Sequence, residues 1–196
     1  MTRLFTTLGM LITTIALSGM TALAGTFPVT KVIEVPGATK DQIMDKVSAW
    51  ASNYAQASKV DAKTGAVTAK GMVVYPSPPV DRIQYVIAFE MKNTVKGNKN
   101  TVTFDNVMLK SPTTYNTDTG EEVAGSTSPV KTKKDVAAVS GRLAYVADSL
   151  EAYLLGKGTK ASPLMKCPVC PVLGTSPEEM KEHEKTHEHK KGHPGH

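Results

Sequence analysis

From Gly25 to Lys166 the sequence contains no cysteine and no histidine; both cysteines and all five histidines lie between Cys167 and His196. Over that stretch the usual nucleophile and base pairs of covalent catalysis cannot be assembled. A pair of carboxylates is the arrangement left, and only Glu90 and Asp105 can be placed on a common strand face. Ion-paired surface charge accounts for both, so the chain is read as a non-enzyme, with no catalytic and no cofactor-binding residues in this region. Past residue 24 no apolar run is long enough to span a bilayer, which predicts a soluble chain and not a membrane-spanning one. Tryptophan is scarce as well: Trp50 is the only one, and it suits a buried anchor between helix and sheet. The net charge is +5, or +4 once Arg3 is subtracted with the leader. Spread over both signs, that charge favours solubility over a nucleic-acid footprint.

The leader is residues 1–24. Arg3 precedes an apolar run of Leu8, Met10, Leu11, Ile12, Ile15, Ala16 and Leu17, and the stretch closes at Ala22-Leu23-Ala24. This is the pattern of a secretory signal peptide cleaved before Gly25, and no cysteine stands at that junction to carry a lipid. A periplasmic or secreted location is therefore expected. In such an oxidising compartment Cys167 and Cys170 pair with each other unless a metal or a reductase holds them apart. The rest divides into an α+β domain over 25–156, a linker over 157–166 and a Cys/His-rich tail over 167–196.

In the domain, Phe27 to Val35 reads as a strand that Pro36-Gly37 stops. Thr39 caps a helix with Gln42 as its box partner, and Ile43, Val47, Trp50 and Tyr54 share one face. Strands are expected from Ser58 to Asp61 and from Ala66 to Tyr75, around a turn at 62–65 and with Gly71 marking a bulge. Pro76, Pro78 and Pro79 form a rigid corner. Beyond it Ile83, Tyr85, Ile87, Phe89 and Met91 alternate and face a core. Across a turn at Lys96-Gly97-Asn98, Val102, Phe104 and Met108 join them. Gln84, Glu90, Thr101, Thr103 and Asp105 point outward and offer no basic surface to a nucleic-acid backbone. Residues 111 to 128 read as a long surface loop. A helix from Ser128 to Leu155 follows, with Val136, Val139, Leu143, Val146, Leu150 and Tyr153 as its apolar stripe.

This order predicts an α+β fold: a curved antiparallel sheet of about four to five strands with two helices packed on one face, plus a small C-terminal knuckle and helix. The segments Lys31 to Gly37, Lys40 to Ile43, Trp50-Ala51, Thr64-Gly65, Lys70-Gly71, Tyr85 to Lys92 and Thr101 to Asn106 together resemble an exported bacterial domain of unknown function described as having a TATA-binding-protein-like fold. The resemblance spans about residues 27–155. It implies the fold and, since that family has no established activity, no chemistry.

In the tail, Cys167-Pro-Val-Cys170 is followed after twelve residues by His183 and after three more by His187. Two thiolates on a tight knuckle and two imidazoles one helical turn apart can close a tetrahedron around a d10 ion. Ser176 is a good N-cap, Pro177 suits the first helical position, and Glu179 stands where a capping box needs it. Residues 166–189 thus resemble a two-cysteine, two-histidine zinc finger. Gly174 stands where that family has an aromatic, which leaves Leu173 and Met180 as its apolar core. Zinc is the favoured ion; copper or nickel would compete through His187, His189 and His193, since imidazole suits both.

The function expected from this is an exported soluble protein that binds a transition metal through its tail. Two alternatives stay open: an interaction module that docks an envelope protein, with the tail a passive tether, and a thiol-disulfide oxidoreductase using Cys167 and Cys170. For the last, the bracketing Pro168 and Pro171 resemble a metal knuckle more than a redox motif at a helix N-terminus. A chain cut after about Gly158 is expected to keep its whole core.

Overall fold

The computed structural model describes residues 26–76, 84–111, 114–115, 122–156 and 164–191. The expected leader, Pro78 and Pro79 of the corner, most of the linker, and His193 lie outside them.

Strand β1 (Thr26–Glu34) ends at a turn in which Gly37 takes φ +75°, and helix α1 (Lys40–Tyr54) follows. Its capping box forms as expected: Thr39 Oγ1 accepts from the Gln42 N–H at 3.3 Å, and Gln42 Oε1 accepts from the Thr39 N–H at 2.9 Å. Strand β2 (Ala57–Asp61) turns through residues 62–65, where Asp61 Oδ1 accepts from the N–H groups of Lys63 and Thr64, into β3 (Ala66–Val74). The two longest strands, β4 (Val86–Lys96) and β5 (Lys99–Lys110), are joined by Gly97-Asn98, with Gly97 at φ +58° as a two-residue hairpin loop requires.

A small pair, β6 (Thr114–Tyr115) and β7 (Glu122–Val123), lies in the expected loop. Strand β8 (Thr127–Pro129) then leads to α2 (Lys133–Leu154). This helix starts later than its expected Ser128, because Thr132 caps it through the Asp135 N–H and residues 127–129 pair with β5 instead. Strands β9 (Met165–Lys166) and β10 (Val172–Gly174) and helix α3 (Pro177–Lys191) complete the described chain.

Among the described residues the sheet has eight strands in the order β1-β5-β4-β3-β10-β9, with β2 also on β3 and β8 also on β5. That exceeds the four to five expected, because β8, β9 and β10 are too short to show any alternation. Two long strands each serve two partners along one edge. On β3, residues Ala66 to Lys70 pair with β2, after which Met72 and Val73 pair with β10, in parallel. On β5, Lys99 to Asp105 pair with β1, and Met108 to Lys110 with β8. The change of partner on β5 coincides with a bulge opposite Phe89, where Asn106 takes φ 51°, a left-handed conformation that asparagine tolerates better than most residues.

One core joins Ile33, Val67, Ile87, Met91, Val102 and Phe104 of the sheet to Ile43, Val47 and Trp50 of α1 and Leu143, Val146 and Leu150 of α2. The helices therefore share one face. Lys31 ties β1 to Asp148 and Glu151 of α2, and the Tyr75 hydroxyl donates to Asp135 Oδ1 at 2.8 Å. Asn93 and Asn100 are wholly buried; Asn100 Nδ2 donates to Asn93 Oδ1 at 3.0 Å and Asn93 Nδ2 to the Val67 carbonyl.

Several residues differ from expectation. Gly71 marks no bulge, since the β3–β4 register runs unbroken through Gly71 and Phe89. It leaves room for the Phe89 ring, which a Cβ would meet at 2.6 Å. Tyr85 and Tyr153 are 40% and 43% exposed and are not core residues. Asp105, expected outward, is nearly buried at the bulge with Lys92 at 2.5 Å; Glu90 lies opposite it in register. The tail is not separable either. Strand β10 lies within the sheet, and Leu164 and Leu173 belong to the core, so neither a passive tether nor a harmless truncation describes it. Among the described residues no helix is long and apolar enough to cross a membrane.

Candidate metal centre

Cys167 follows β9 directly, and its N–H donates to the Val172 carbonyl at 3.0 Å, closing the turn that holds both cysteines. Pro168 and Pro171 restrict φ within that turn. Leu173 and Gly174 pair back onto Lys166 and Met165, so the thiols sit on a β-knuckle and not at a helix N-terminus. The apolar residues beneath are those expected: Leu173 and Met180 are buried, and Gly174 allows Met180 to lie against its Cα, where a Cβ would collide.

Helix α3 begins as its sequence asks, with Ser176 Oγ accepting from the Glu179 N–H at 3.2 Å. The second half of the expected capping box goes elsewhere. Glu179 accepts from the Thr175 N–H at 3.0 Å, from the Thr175 hydroxyl at 2.7 Å, and from both terminal nitrogens of Arg142 on α2. Burial alone would raise the Glu179 pKa; the Thr175 bonds and the Arg142 charge outweigh it and hold the carboxyl below its usual range. Arg142 also reaches the Thr175 hydroxyl, so α2 grips the start of the helix that carries the histidines.

The structure brings all four predicted ligands together. One ligand atom each from Cys167, Cys170, His183 and His187 lie within 4.8 Å of one another. Cys167 Sγ is 3.6 Å from His187 Nε2, Cys170 Sγ is 3.0 Å from His183 Nε2, and the two Nε2 atoms are 3.2 Å apart. Zinc bonded at about 2.3 Å to sulfur and about 2.05 Å to nitrogen has tetrahedral edges of roughly 3.5 Å between S and N and roughly 3.3 Å between the nitrogens. Two of the three distances agree closely with those edges, and the third is short by about half an ångström. The imidazoles meet edge to face, with ring centroids 4.9 Å apart.

Cys167 and His183 are buried, with Cys170 and His187 half-buried. Burial, and then the neighbouring His187, push the His183 pKa down to about 4, so the ring is neutral at pH 7, the form that ligates. Its Nδ1 lies 2.9 Å from Oε1 of the buried Gln84. Gln84, read from sequence as an outward strand residue, is part of this centre's surroundings, as is Arg142. No local signal marks either. Of the secondary candidates, the His189 side chain and the whole of His193 lie outside the described residues.

Comparison with known proteins places the domain. Two solved structures are similar to part of it. One is a TBP-like protein from Parabacteroides distasonis, with a TM-score of 0.47 at 12% identity over 64% of this chain and 90% of that one. The other is a DUF4468 family protein from Bacteroides ovatus, with a TM-score of 0.42 at 16% identity over 65% and 85%. No curated protein matches the sequence. Residues 30–110 match the family described as "Domain of unknown function (DUF4468) with TBP-like fold". The fold is α+β in class and TBP-like, as that family's description has it, and the four Cys/His residues lie beyond the matched stretch.

Proposed function

We propose that this is an exported, periplasmic or secreted binding protein that holds one transition metal ion, zinc by preference, through Cys167, Cys170, His183 and His187. The convergence of four ligand atoms from a knuckle and a helix carries this reading. Two thiolates favour a borderline-soft ion over magnesium or calcium, and a tetrahedral set favours zinc over square-planar copper. The set is closed: catalytic zinc sites keep a position open for water, and structural sites spend all four on protein. The ion's role is then to hold the knuckle and α3 on the α+β domain and to keep the two thiols from pairing in an oxidising compartment. The role is one of binding, without catalysis. The signal-like leader supports export, which in turn argues against nucleic acid as the partner.

Native mass spectrometry of the exported protein under non-reducing conditions tests the centre. One metal ion with both thiols reduced is the expected result. A metal-free chain two hydrogens lighter, unresponsive to added zinc, overturns it. N-terminal sequencing tests export: a start near Gly25 is expected, and a retained Met1 in a cytosolic fraction removes the argument.

A further inference from the structure

We infer that Gln84, a side chain of the α+β domain, is the positioning residue of the metal centre: it holds His183 in the tautomer and orientation that ligation needs. This rests on reading the four Cys/His residues as a metal centre. Gln84 is 5% exposed, as is His183, and their contact at 2.9 Å runs from Oε1 to Nδ1 across 99 positions of sequence. A carbonyl oxygen can only accept, so the hydrogen of the neutral ring sits on Nδ1. That leaves the lone pair on Nε2, the atom 3.0 Å from Cys170 Sγ and 3.2 Å from His187 Nε2. Ligating histidines characteristically donate their second N–H to such an acceptor, which fixes the ring and raises its basicity.

The sheet explains how so distant a residue is placed. Strand β3 carries β10, and with it the knuckle, along Met72 and Val73. On the other edge of β3 the ladder to β4 continues past Val74, where the Tyr75 N–H donates to the Tyr85 carbonyl at 3.0 Å. Gln84 is the next residue. The knuckle and Gln84 are thus fixed to opposite edges of one strand, so metal affinity becomes a property of the domain and the tail together.

The test uses the full chain with Gln84→Met, which keeps the length and removes the acceptor, and Gln84→Glu, which keeps an acceptor. Zinc and cobalt(II) affinities are measured by competition with a chromophoric chelator, beside the unfolding midpoint of the metal-free protein. Gln84→Met should weaken binding by roughly 10–100-fold, while Gln84→Glu binds at least as tightly as wild type, with cobalt keeping its tetrahedral absorption in each. Should Gln84→Met also unfold more easily, recovery of affinity in Gln84→Glu still identifies positioning. Equal binding by wild type and Gln84→Met, or equal losses in both variants, overturns the inference and leaves the centre standing. Failure of the wild type to bind either metal overturns the centre itself.

Discussion

Gly71 and Gly141 show why the same substitution has opposite signs at two positions. Gly71 lies under the Phe89 ring in the core, whereas Gly141 is in the middle of α2 with nothing within 4 Å of the place a Cβ would take. Gly71→Ala should destabilise by about 1–3 kcal/mol through overpacking, and Gly141→Ala should stabilise by about 0.5–1 kcal/mol through helix propensity. Urea unfolding of each measures both. His183 makes a pH prediction. Its pKa is about 4 in the folded protein against an ordinary 6.5. As the pH falls the unfolded chain therefore takes up the proton first. The stability tied to the neutral ring is fully present above pH 6.5 and is lost between 6.5 and about 4. The urea midpoint of the metal-free protein should fall across that window, and His183→Gln should flatten the fall. At this scale, sequence spacing revealed all four candidate ligands, because a knuckle and one helical turn are local features. Gln84 and Arg142 were silent, since each acts on a partner far along the chain.

Among the elements, α3 depends most on its neighbours. Its start is held by the paired Arg142–Glu179 contact, with side chains only 14% and 24% exposed. Arg142→Met leaves that carboxylate partly buried without its cation, at a cost of roughly 1–3 kcal/mol. The effect should be local: amides of α3 should exchange faster with solvent while those of β4 and β5 hold their protection, as hydrogen exchange will show. Zinc affinity should fall with it, since both histidines ride on that helix. The capping boxes mark where local reading works. In α1, Thr39 and Gln42 have no competing partners and form the box their sequence predicts. In α3, Thr175 and Arg142 take the Glu179 carboxylate that Ser176 was expected to hold.

For the molecule as a whole, a cut after Gly156 removes more than a tail. It strips Leu164 and Leu173 from the core and leaves Met72 and Val73 without a partner on that edge. A buried leucine contributes about 2 kcal/mol, and an open strand edge invites association. The truncated protein should therefore melt at least roughly 10 °C below the full chain, or lose its cooperative transition, when followed by circular dichroism. Chelator should lower the midpoint of the intact protein, and added zinc should restore it in proportion to the logarithm of its free concentration.

The sequence by itself determined the α+β class, the long strands β3, β4 and β5, helix α1 and the four converging Cys/His positions. Each is encoded by periodicity, capping or spacing within a few residues of itself. Only the tertiary structure decided where β8 and β10 pair, that β9 and β10 join the sheet while Leu164 and Leu173 join its core, and that Gln84 meets His183. The two short strands carry no pattern of their own. They take the places that β1 and β2 leave open on β5 and β3, and which edges stay open is known only once the long strands have assembled.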